Sequence, residues 1–174
     1  MALSNGWKRC GVWRNGTWVQ LWTGKPSDEQ WTSDVTSWAA NFADALHQLP
    51  VAGRPGTHMA LIPNFSLGGA KPTDPAIRAL TAAVDGVLPE AGFTDYGSKR
   101  TPQSDWEASV AWMAQLNIAG KGYYSINEWG KSPTDITDSL VEWVVASYLC
   151  GKGAASAIYI STIQGYGAEM ADFP

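Results

Sequence analysis

Charge is scarce in this chain. Asp, Glu, Lys and Arg make up 16% of 174 residues, well under the quarter found in ordinary soluble domains. No basic cluster occurs, the net charge is −4 and the pI lies near 5.0, so a nucleic-acid binder with its basic face is excluded. Cysteine and histidine are rarer still, with two of each. Cys10 and Cys150 stand at opposite ends and His47 and His58 are isolated in sequence, none with metal-ligand or redox spacing. The expectation is no metal site and no cofactor. No apolar run reaches 18 residues, so no membrane-spanning helix is expected. The first residues lack the basic-then-apolar pattern of a signal peptide, which makes a cytoplasmic location the default.

Tryptophan, by contrast, is abundant. Six of the ten (Trp7, Trp13, Trp18, Trp22, Trp31, Trp38) fall in the first 38 residues. An indole is a large apolar surface with one polar handle, suited to packing, to interfaces or to stacking on a sugar ring.

The chain has two rhythms. In "CGVWRNGTWVQLWTG" Asn15-Gly16 separates two alternating apolar stretches, a strong hairpin signal. Residues 1–30 thus form a β-hairpin appendage and residues 31–174 a second domain. There "SDEQWTSDVTSWAANFADALHQLP" has apolar residues Trp31, Val35, Trp38, Phe42, Leu46 and Leu49 at helical spacing. "TDPAIRALTAAVDG" is a helix with Asp74 as cap and Pro75 in its first turn. "SDWEASVAWMAQLNIAG" has Ser104 and Glu107 as a capping box and Gly120 as a stop. "SPTDITDSLVEWVVASYLCGKG" is the last helix. Between them lie four apolar runs, "THMALIPNFS", "VDGVLPEAG", "KGYYSINEW" and "ASAIYISTIQG". Strands alternating with helices predict a parallel sheet with crossover helices.

All four runs close on a polar side chain: Asn64, Glu90, Glu128 and Gln164. Side chains alternate along a strand, so Ile62 goes with Asn64, Leu88 with Glu90, Ile126 with Glu128 and Thr162 with Gln164. Polar groups at the C-terminal ends of parallel strands form the active site of a (β/α) barrel, and an open doubly wound sheet places its ligand at the same ends. Two rim carboxylates suit glycosidic cleavage, as acid and base or as acid and nucleophile. Asn64 and Gln164 suit sugar hydroxyls, and Trp129 offers a ring face; Asn127 and Tyr166 complete the candidate substrate-binding set. Solvated glutamates at the strand ends and a Trp129 that merely covers the sheet are the competing explanation. "SLGGAK" lacks the lysine-serine ending of a phosphate-binding loop, and no G-x-S-x-G elbow occurs.

"VDGVLPEAGFTDYGS", "GKGYYSINEWG" and "VEWVVASYLCGKGAASAIYISTIQGYG" resemble the later strands of glycosyl hydrolase-like (β/α)8-barrel proteins. "WTSDVTSWAANFADALHQLP" leading into "HMALIPNFS" is similar too, so the resemblance spans Trp31 to Gly167. It implies the C-terminal half of a barrel: an α/β fold of four parallel βα units, preceded by the hairpin. A flavodoxin-like open sheet is the alternative fold. The resemblance also implies an acid at a strand end in the first half, where "LSNGW" offers only Ser4-Asn5, leaving Glu90 and Glu128 as the strand-end acids. The implied activity is hydrolysis of a small glycoside by this pair; the alternative is a carbohydrate-binding or assembly half-barrel without turnover. A half-barrel leaves two open edges and an apolar face, so a homodimer is expected, with a carbohydrate or other small glycoside as ligand and neither nucleic acid nor membrane as partner.

Overall fold

The computed structural model describes residues 11–21, 29–90 and 92–163. Among them the order is β1 (Gly11–Arg14), β2 (Thr17–Gln20), α1 (Glu29–His47), α2 (Pro75–Ala83), β3 (Gly86–Val87), α3 (Gln103–Ile118), β4 (Gly122–Glu128), α4 (Asp138–Leu149) and β5 (Ala157–Ser161). They divide between two compact units, residues 1–85 and 86–174. No helix among the described residues is long and apolar enough to cross a membrane.

The hairpin forms as its turn dictates. Asn15 and Gly16 both take positive φ, 49° and 77°, the conformation a two-residue turn of matching twist requires. β1 and β2 pair antiparallel, with Trp13 opposite Trp18 and their rings edge-on at 5.8 Å.

The rest of the first unit departs from the expected βα repeat. "THMALIPNFS" forms no strand; it holds only single bridge residues, His58, antiparallel to Pro50, and Asn64. α1 packs on α2, which buries Ile77 and Leu80. α1 buries the small residues Ala39 and Ala43 with Val35 and Thr36, while Trp38 and Phe42 stack on each other in solvent. The bulky stripe set the helical period but not the buried face. Asp74 does precede α2 as its N-cap, yet its carboxylate accepts from the Lys71 amide at 2.7 Å rather than capping the helix.

In the second unit β3, β4 and β5 form one parallel sheet in that order. The four-unit half-barrel is therefore corrected to three parallel strands among the described residues. The Ser104–Glu107 capping box is also absent: α3 starts at Gln103 after Pro102, and Gln103 donates to Glu107 at 2.8 Å. Gly120 stops the helix with φ 71°, and the Lys121 amide closes back on the Leu116 carbonyl at 2.8 Å. α4 is capped by Thr137, which accepts from the Leu140 amide.

Several indoles of this unit are fixed as structure. Trp106 donates to Ser147 Oγ at 2.9 Å and Trp143 to the Phe93 carbonyl at 3.0 Å, while Arg100 lies over the Trp143 ring at 5.3 Å. Thr94, fully buried, has a hydroxyl with no hydrogen-bond partner among the described residues. Thr94→Val keeps the shape and removes the orphan donor, so it is expected to stabilise the protein by about 1 kcal/mol. Urea denaturation measures this; a loss of stability would mean that the hydroxyl is satisfied.

Candidate active site

The two faces of β4 carry different residues. Tyr123, Ser125 and Asn127 are buried on one, while Tyr124, Ile126 and Glu128 are half-buried on the other. Tyr124 lies over a pair of glycines: a Cβ at Gly122 would strike its ring, and one at Gly86 would strike the Gly122 carbonyl. β3 joins β4 with Gly86 beside Gly122 and Val87 beside Tyr123, and the Ile126 amide continues the ladder to the Pro89 carbonyl at 3.1 Å. Glu90 follows at once. Glu90 and Glu128 thus stand at the C-terminal ends of adjacent parallel strands, both half-buried. Burial pushes the Glu128 carboxyl above its ordinary value, and the charge of Glu90 pushes it further.

The loops beyond these ends are firmly tied. Trp129 donates its amide to Ser161 O at 2.8 Å and bridges Gly97, so its backbone is fixed beside the acid, with the side chain half-buried. Gly130 takes φ 59°, and a Cβ there would run into Asp135. The Asp135 carboxylate accepts from the amides of Lys131 and Ser132 at 2.8 and 3.0 Å, which holds its pKa below the usual carboxylate range.

Asn127 is not at this site. It is fully buried on the opposite face. Its Oδ1 accepts from the Phe93 amide at 2.7 Å, and its Nδ2 donates to Ser125 Oγ at 3.1 Å and to Tyr159 O at 3.2 Å. Alternation along the strand already implied this, because Asn127 and Glu128 are neighbours and must diverge. The fourth strand is corrected in the same way. The register sets Ser161 beside Glu128 and Ile160 beside Asn127, so Ser161, not Thr162, shares the glutamate face. Asn64, half-buried, belongs to the first unit and ends no strand. Gln164, Tyr166 and Ser4-Asn5 lie outside the described residues.

Sequence spacing missed a second cluster. His47, in the last turn of α1, and His58 both face Asp85: His47 Nε2 lies 2.8 Å from Oδ2, and His58 Nε2 lies 3.7 Å from Oδ1. The imidazole centroids are 4.6 Å apart. Partial burial raises the Asp85 carboxyl, but the hydrogen bonds from His47 and the Leu61 amide, with the charges of both imidazoles, outweigh it and hold the pKa below its usual value. Separations of 11 and 27 residues carry no ligand motif. The available signal was the turn-rich "VAGRPGTH", which folds His58 back toward the end of α1.

No family model, curated protein or solved structure matches the chain.

Proposed function

We propose that the chain is a glycoside hydrolase-like enzyme acting on a small glycoside, with Glu128 as general acid and Glu90 as the second carboxylate. One observation carries this: two carboxyl groups share the C-terminal rim of adjacent parallel strands, and burial and the charge of Glu90 raise the pKa of Glu128. Glycosidic cleavage needs one carboxyl that is still protonated and one that is ionised. Carboxylates whose environments separate their pKa values supply that division. Trp129 beside the acid offers an apolar ring face for a sugar.

A panel of aryl glycosides tests it. Turnover with a bell-shaped pH profile, lost in Glu90→Gln and in Glu128→Gln, supports the proposal. Sugar-dependent tryptophan fluorescence without turnover overturns it in favour of a binding module. A substrate-free check follows from the coupling. Glu90→Gln is expected to lower the Glu128 pKa toward its ordinary value, as read by carbon NMR of the side-chain carboxyl. An unmoved Glu128 would show that the two are not a pair.

A further inference from the structure

We propose that His47, His58 and Asp85 form a binding site for one divalent transition-metal ion, zinc being the first candidate. The three residues lie in a single unit and come from three separate segments: the last turn of α1, the turn after it and the residue preceding β3. Each offers one ligand atom, and the three atoms lie within 4.8 Å of one another. Tetrahedral zinc with bonds of 2.0–2.2 Å to nitrogen and oxygen sets its ligands about 3.4 Å apart. His47 Nε2 lies 2.8 Å from Oδ2 and His58 Nε2 3.7 Å from Oδ1, and with the ligand atoms within 4.8 Å of one another the cluster closes around an ion by side-chain shifts of up to about an ångström.

The surroundings favour a held site over a chance meeting of side chains. Asp85 is clamped from behind: the Leu61 amide donates to its Oδ2 at 2.8 Å, and its own amide donates to Leu61 O at 3.0 Å. Outer hydrogen bonds of this kind orient ligating carboxylates. The arm carrying His58 is built from turns: the Val51 amide bonds Thr57 O, Arg54 bonds Val51 O and Thr57 bonds Arg54 O, with Pro50 bridging His58 itself. Two imidazoles and one carboxylate suit zinc and its neighbours rather than calcium or magnesium. Three protein ligands leave a coordination position for water or another small ligand, and His58 is exposed, so that position is accessible from solvent.

Zinc titration with a competing chelator, on the parent and on His58→Ala, tests this. His58→Ala keeps the His47–Asp85 hydrogen bond and alters only an exposed side chain, so the fold survives. The parent is expected to bind one equivalent of zinc, with a melting temperature that rises with zinc. His58→Ala should bind at least about 100-fold more weakly, beyond the 10–100-fold typical when only an outer-shell partner is lost. Cobalt(II) in the parent should give the intense visible bands of a four-coordinate site, absent in His58→Ala; Cys150→Ser should behave like the parent. No zinc binding by the parent, or equal binding by His58→Ala, overturns the proposal and leaves a histidine–aspartate hydrogen bond with a second histidine beside it.

Discussion

Glu128→Gln is expected to abolish glycoside turnover while leaving the protein at least as stable as the parent at neutral pH. The loss of turnover follows from removing the one dissociable proton of the proposed general acid, since a glutamine can occupy the position but cannot protonate a leaving oxygen. The stability effect follows from the raised carboxyl. Its native pKa lies above the unfolded value because of burial first and the charge of Glu90 second. The native state therefore holds the proton more tightly. Glu128's contribution to stability is fully present below the ordinary glutamate value, about 4.3, and is lost as pH rises through the native value. Above the native value the ionised side chain is a small liability that glutamine removes. Thermal melts should show the variant equal to or above the parent at pH 7, by about half a kcal/mol or less, with the difference gone in acid. A variant that unfolds at pH 7 would make Glu128 a structural ion partner and sink the catalytic role.

Side-chain alternation and turn chemistry made much of the second unit legible. The Gly120 stop and the parallel β3–β4–β5 sheet there, like the asparagine-glycine hairpin of the first unit, follow from local rules that packing did not override. The first unit was less legible. "THMALIPNFS" has the composition of a strand, but pairing depends on partners that composition does not name. In α1 the tryptophan and phenylalanine marked the helical period, yet Ala39 and Ala43 turn inward. The site was half legible for the same reason. Glu90 and Glu128 came from counting along strands, whereas Thr162 was placed by an alternation one residue out of step with the register. His47, His58 and Asp85 meet only through tertiary structure, and no spacing rule spans their separation.

Asn127 provides the sharpest contrast with its neighbour: Asn127→Ala is expected to cost about 3–4 kcal/mol of stability, a large share of the 5–15 kcal/mol that holds a typical domain together. The amide joins three segments. Phe93, in the turn beyond Glu90, donates to it; Ser125 on its own strand and Tyr159 on β5 accept from it. Truncation strands the Phe93 amide and leaves Tyr159 O and Ser125 Oγ without this donor, at about 1–3 kcal/mol for each buried group left unsatisfied. Gly92 makes the position harder to repair. It sits at φ 52°, so close that a Cβ on it would collide with Ile126 O and Asn127 Oδ1, and the turn cannot simply settle inward. Asn127→Asp should be worse at neutral pH, because an oxygen replaces the donor facing the oxygens of Ser125 and Tyr159 and a charge is buried unpaired. Its deficit should shrink in acid, where the protonated carboxyl again offers a hydrogen. Denaturant titrations of the two variants across pH measure this. If Asn127→Ala instead melts with the parent and loses only sugar binding, Asn127 is a ligand residue and the assignment of the two faces of β4 is wrong.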